Sequence, residues 1–150
     1  MKGNDYRDRI AAYVLAGFGE HGVVVYTEVH LGKTIIGKDR KVDVFVVRQH
    51  DQRAVALECK FQDSQGTTDE KIPYALADLE ALPVPGYLVY AGEGWSKGVL
   101  HSLEASPRAA HCLPGPDLAR GANTRQLDHL LAAAFGLWEL VIPAARRFRG

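Results

Sequence analysis

The chain reads as an α/β domain, a central mixed β-sheet flanked by helices, and three observations predict it. Apolar residues recur at helical spacing through Tyr6, Ile10, Val14 and Phe18. Two runs rich in valine and alanine, Val42 to Val47 and Ala54 to Lys60, flank a polar turn as the arms of a hairpin do. A second helical stripe, Ile72, Leu76, Leu79 and Leu82, is broken by Pro83 and Pro85 before the apolar run Gly86 to Ala91. That order is a helix-to-strand crossover of the kind that pairs strands in parallel.

In chain order, the first helix is expected over residues 5–18, with Gly19 and Gly22 ending it. Val23 to Val29 is strand-like and turns through Gly32 and Gly37 into the hairpin. If Gln49, His50, Asp51 and Gln52 form the hairpin loop, Arg48 faces Arg53, and counting back sets Asp43 opposite Glu58. After Lys60, the segment Ser64 to Asp69 is turn-rich, and Gly66 permits close approach of backbone to a phosphate. Pro73 places the start of the second helix near itself. Beyond the run Gly86 to Ala91, Trp95 packs at the edge of the core and leads into a short helix through Leu100 and Leu103. A loop with Pro107, Pro114 and Pro116 precedes a last helix, Thr124 to Leu137, with Leu127, Leu130, Leu131, Ala134 and Phe135 on its apolar face. Covering the sheet and building a dimer are both open to that helix.

At 150 residues, 47% of them hydrophobic, the chain is expected to form one domain, residues 1–150, with a substantial core. No run approaches the roughly 18 apolar residues of a membrane span, and no signal-peptide pattern opens the sequence, so a soluble, cytoplasmic protein is expected. Cys59 and Cys112 make neither a disulfide framework nor a metal pair, and His101, His111 and His129 lack zinc-ligand spacing. The stretch from Gly32 to Lys38 approaches a P-loop, but Asp39 stands where a Ser or Thr is needed and a strand follows, which argues against an NTPase. The formal net charge is zero. Basic residues nevertheless cluster at Lys33, Lys38, Arg40 and Lys41 and again at Arg146, Arg147 and Arg149, where backbone contact to nucleic acid and ordinary surface charge are equal readings.

The chemistry lies in the hairpin. Directly opposed residues of an antiparallel pair have Cβ atoms roughly 4.5 to 5.5 Å apart, and like charges there destabilise the sheet. Asp43 and Glu58 therefore call for a compensating group, and a divalent cation is the simplest. Side chains alternate along a strand, so Glu58 and Lys60 share a face while Cys59 points to the other. Two carboxylates can hold Mg²⁺ with water and phosphate completing its shell, and an adjacent ammonium can orient water or stabilise developing charge. An ordinary surface ion pair is the competing reading, but the apolar neighbours of both acids argue for burial, where an unpaired carboxylate is costly.

Asp43, a gap of about a dozen residues and then Glu58-Cys59-Lys60 resembles the signature of the PD-(D/E)XK nuclease superfamily, with Val42 in place of the leading proline. The segment Gln62 to Tyr74, followed by Gly92-Glu93-Gly94-Trp95, further resembles a subgroup of small bacterial and phage nucleases and type II restriction enzymes. The resemblance implies a restriction-endonuclease-like core and Mg²⁺-dependent hydrolysis of DNA, with Mn²⁺ as a substitute. Asp43 and Glu58 become metal ligands and Lys60 the residue serving the attacking water, with Gln62 assisting on the same strand face. Some superfamily members carry a further upstream glutamate, for which Glu28 and Glu20 are equal contenders, with an ordinary surface residue the favoured reading of both. Lys71 and Tyr74 are candidates for DNA contact at the start of the second helix. Cleavage of both strands implies a homodimer. A Holliday-junction-type resolvase and a non-catalytic DNA-binding module with a retained site are the alternatives.

Overall fold

Tyr6, Ile10, Tyr13, Val14 and Phe18 lie along one side of the first helix, α1 (Gly3–Phe18), and all are buried. A short 3-10 turn and Gly22, at φ 86°, then redirect the chain into the sheet. The computed structural model describes residues 1–150. Five strands, β1 (Val23–Lys33), β2 (Asp39–Arg48), β3 (Ala54–Phe61), β4 (Gly86–Ala91) and β5 (Ala109–His111), form one sheet in chain order. The first three strands pair antiparallel and the last three parallel, so β3 carries both kinds of partner. The parallel half requires crossovers. These are α2 (Thr68–Leu79) and α3 (Lys97–Ala105), and α4 (Arg125–Phe135) follows β5.

Strand alternation divides the core in two. On one side Val44, Val46, Val55, Leu57, Cys59 and Val89 pack with residues of α1 and α4 in a continuous apolar cluster. A smaller cluster joins Leu88 and Tyr90 of β4 to α2, α3 and Trp95. The last helix therefore covers the sheet. Trp95 is buried at the core edge as expected, its indole N–H donating to the Ala91 carbonyl at 3.0 Å. No helix is long and apolar enough to cross a membrane.

Three elements depart from the sequence reading. β1 runs to Lys33, well past Val29, because Asp39 to Val42 continue the ladder on its partner. The second helix does not start near Pro73. It begins at Thr68, and Pro73 sits inside it, where the missing N–H leaves the Asp69 carbonyl without its helical donor. Leu82 falls beyond the helix end yet still packs on the second cluster. β5 was not anticipated at all, since Ala109-Ala110-His111 between prolines has too few residues to show alternation.

Two polar contacts anchor α1, one to α4 and its N-cap and one to the loop before it. The Tyr13 hydroxyl donates to the Asp128 carboxylate, whose other oxygen accepts from Thr124 at 2.9 Å, all three groups being buried. Arg120 donates to the Gly17 carbonyl and lies over the Phe18 ring, giving the end of α1 a cation that its own last turn lacks.

Candidate active site

The ladder between β2 and β3 runs Val47–Ala54, Val46–Val55, Phe45–Ala56 and Val44–Leu57, which sets Asp43 across from Glu58 at the next step. The backbone N–H of Arg48 reaches the Arg53 carbonyl at 2.8 Å, so the hairpin closes over Gln49 to Gln52 in the register read from the sequence. Asp43 is tied to β3 as well: its Oδ2 accepts the Cys59 N–H at 2.8 Å. Lys60 Nζ stands 3.5 Å from Glu58 Oε1. Cys59, between them in sequence, is buried in the apolar cluster on the far side.

Burial and, after it, the neighbouring Asp43 charge push the Glu58 carboxyl up, Lys60 offsets part of the rise, and the net result is about 7. The Glu58 side chain keeps 31% of its surface, enough to be reached from solvent. Two acids held together, with one ammonium paired to Glu58, fit a divalent cation. No third His, Cys, Asp or Glu gathers there, so the protein offers two carboxylates and leaves the other positions to water and substrate oxygens. That is the donor set Mg²⁺ accepts.

Glu58 and Lys60 open into a cleft of about 200 Å³ whose rim includes Thr34, Lys41, Lys71 and Tyr74. The two α2 residues named as DNA-contact candidates, Lys71 and Tyr74, thus meet the acid and the lysine. The widest cavity, about 590 Å³, lies elsewhere, between the chain start and residues 113–124, and Asp63 is the one acid in its lining.

Gln62 is positioned differently. It is 5% exposed and absent from the cleft rim, and its Nε2 donates to Asp69 Oδ1 and to the Gly94 carbonyl, each at 2.9 Å. The amide therefore joins the end of β3 to the start of α2 and to the glycine loop after β4. Gly94 returns its N–H to the Gln62 carbonyl at 2.8 Å. Gly92 sits at φ 106°, and a Cβ there would fall 2.1 Å from that same carbonyl oxygen, which explains the glycine.

Of the two upstream glutamates, Glu28 falls on β1 between the partners of Val44 and Val42 but has φ 56°, and its carboxylate is held by Arg7 at 2.7 Å and Lys41 at 3.6 Å. Glu20 sits beside Gly22, which bonds Gln49 at the hairpin-loop end of the sheet. Gln49 is six residue steps along the chain from Asp43, roughly 20 Å at about 3.3 Å per residue. Glu20 is not part of the cluster.

A family model described as a PD-(D/E)XK nuclease superfamily domain matches residues 2–138, nearly the whole chain. The chain belongs to the PD-(D/E)XK nuclease superfamily. Two solved structures are also similar to it. One is a protein of unknown function, AF1548, at 16% identity and TM-score 0.42, covering 65% of this chain and 53% of that one. The other is a repair endonuclease from Pyrococcus abyssi, at 19% identity and TM-score 0.38, covering 65% and 42%. The chain thus spans about half the length of these two proteins. No curated protein matches it.

Within this PD-(D/E)XK chain, the mixed sheet with helices on both faces is the restriction-endonuclease-like core, and Val42 stands at the position of the signature proline. Sequence reasoning missed what holds the rim. Arg40, counted among the basic residues for DNA, is 6% exposed and makes a two-pronged pair with Asp78 of α2, at 3.1 and 3.0 Å. Asp78 Oδ1 also accepts the Ile35 N–H at 2.9 Å. An acid on the polar side of the second helix and an arginine just before Asp43 were the only signals, and their pairing spans 38 residues.

Proposed function

We propose that this chain is a metal-dependent DNA endonuclease that hydrolyses phosphodiester bonds, with residues 1–150 acting as one nuclease-like domain in the cytoplasm. The observation that carries the reading is the facing pair Asp43 and Glu58 with the Lys60 ammonium 3.5 Å from Glu58. Asp43 and Glu58 would hold Mg²⁺, or Mn²⁺ in its place. When bound, the cation would neutralise the scissile phosphate and make nearby water more acidic. Lys60 orients the attacking water and counters the negative charge that develops as the phosphodiester opens. Lys41 and Lys71 on the rim draw the DNA backbone in, and Tyr74 offers a hydroxyl or ring beside it. Gln62 serves the site by bracing the wall that carries Lys71 and Tyr74. Cutting both strands is met most simply by two such chains, and we propose a homodimer.

The test is cleavage of supercoiled plasmid, linear duplex, single strands and a four-way junction with Mg²⁺ or Mn²⁺, comparing wild type with Lys60→Ala. Metal-dependent cutting lost in the variant is expected, and the substrate cut fastest names the type of nuclease. DNA binding without cutting on every substrate would replace the nuclease with a binding module.

A further inference from the structure

The turn joining β1 to β2 carries two adjacent isoleucines, Ile35 and Ile36, that are 50% and 62% exposed. Tight turns favour Gly, Asn, Asp and Ser, and two β-branched apolar residues at the tip gain nothing from packing there. The tip is nonetheless firmly built. The Gly37 N–H bonds the Thr34 carbonyl at 2.9 Å, Thr34 N–H bonds the Lys38 carbonyl at 2.7 Å, and Lys38 N–H bonds Thr34 Oγ1 at 3.1 Å. Gly37, at φ 82°, supplies the left-handed residue that closes the turn. From α2, Asp78 holds both the Ile35 N–H and the buried Arg40 guanidinium, and Arg40 also bonds the Leu31 carbonyl at 3.2 Å. The hairpin end is thereby fastened to the helix that forms the cleft wall.

Its surroundings identify what it meets. Thr34 and Lys41, at the two sides of the turn, both line the cleft with Glu58 and Lys60. Of the four basic side chains in residues 33–41, Arg40 is buried against Asp78 and Lys33 pairs with Asp39 at 2.6 Å, which leaves Lys38 and, beside Glu28, Lys41 to face outward. An apolar tip flanked by Lys38 and Lys41, held rigidly beside a phosphodiester site, matches the way apolar wedges enter a base step while cations hold the flanking phosphates. A protein partner with an apolar pocket would take the isoleucines but not need the lysines.

We propose that Ile35 and Ile36 form a wedge that enters the base stack next to the phosphate held in the cleft, so that the preferred substrate is duplex DNA with a locally weakened stack. Mismatches, nicks, branch points and flexible pyrimidine–purine steps belong to that class. The inference rests on the nuclease reading and adds to it where and how the DNA is deformed.

The experiment uses the full chain carrying Lys60→Ala, so that DNA is not cut, and short duplexes with 2-aminopurine at successive positions in Mg²⁺. Binding is expected to raise the fluorescence at one step, the sign of unstacking. Ile35→Ser with Ile36→Ser should abolish that rise and weaken binding to mismatched duplex about tenfold or more. Ile36→Phe, which keeps an apolar wedge, should retain it. DNA bound with no rise at any position, or a rise unchanged by the double serine variant, overturns the wedge. A dimer that becomes monomeric in the double variant while the fluorescence is unchanged assigns the tip to contact between copies instead. Cleavage by the Lys60 protein, scored in parallel, separates the two readings. Cutting without unstacking leaves the nuclease and removes the wedge; tip-dependent unstacking without cutting on any substrate leaves the wedge and removes the nuclease; absence of DNA binding removes both.

Discussion

Glu28 lies between Thr27 and Val29, whose ladder partners Val44 and Val42 flank Asp43, yet its carboxylate is taken up by Arg7 of α1. The left-handed backbone at Glu28, uncommon outside glycine, breaks the alternation that would otherwise line up Glu28, Asp43 and Glu58 across three strands. Its carboxyl lies below the usual range because Arg7 bonds it and Lys41 adds a second positive charge. Glu28→Gln is therefore expected to leave the cleavage rate within a few-fold of wild type, whereas Asp43→Asn abolishes cutting. Initial rates of plasmid nicking for the two variants decide it.

Lys60→Ala should lower the single-turnover cleavage rate by about 10²- to 10⁴-fold, the span typical of a lost proton-transfer or charge-stabilising group. Circular dichroism of the variant should match wild type, because Lys60 is paired only with Glu58 at the cleft.

The raised Glu58 carboxyl has a stability consequence of definite sign. Its ordinary value is 4.5 and it is pushed up to about 7, so across that interval the folded chain keeps a proton that the unfolded chain has released. Metal-free stability should fall as pH rises between those values and stay lower above them. Glu58→Gln should flatten this profile, and Mg²⁺ should raise the wild-type melting temperature above neutral pH more than it does in acid. Thermal melts with and without chelator across the range test both.

Removing Asp78 strands a buried cation. Arg40 is 6% exposed and Asp78 16%, and breaking such a pair from one side costs about 3 to 5 kcal/mol. Asp78→Ala should show that loss in urea denaturation at neutral pH. The Arg40 bond holds the Asp78 carboxyl below its ordinary value, so its contribution is present above the ordinary carboxylate range and disappears as pH falls.

Gln62→Ala leaves the Gly94 carbonyl without its side-chain donor and Asp69 with only the long 3.5 Å bond from the Ser96 N–H, and should destabilise by about 1 to 3 kcal/mol. Gly92→Ala should be worse, about 3 kcal/mol or more, because the added Cβ collides with backbone at a left-handed φ. If Gln62 is a brace, cleavage by folded Gln62→Ala stays within about tenfold of wild type, as an effect on positioning alone.

The parts of the site that are local in sequence were legible. Period-two alternation and a polar turn set the register of Asp43 against Glu58, and the same parity separated Lys60 from Cys59. What was not legible depends on contacts between distant segments or on single dihedral angles. Nothing in the residues around Glu28 announces a positive φ, and Gln62 shares the parity of Lys60 while its amide is captured by Asp69 and Gly94. Pro73 misled because proline prefers a first turn, whereas here the helix had already begun among Thr68, Asp69 and Glu70. Asp128 did leave a trace: it lies three, four and seven residues before Leu131, Ala132 and Phe135, a carboxylate on an apolar stripe that needed the partner found in Tyr13.

The fit of β3 between α1 and α4 below it and the cleft above it makes each side answerable for the other. Sliding β3 by one residue against β2 would rotate Val55, Leu57 and Cys59 out of the apolar cluster and would also relieve the repulsion between Asp43 and Glu58. The valines and leucines on the reverse of the sheet thus act as a clamp that forces two like charges to stay face to face. Substitutions in that oily layer, with no atom near the DNA, are a route to altering how firmly the strand holds its acids in line.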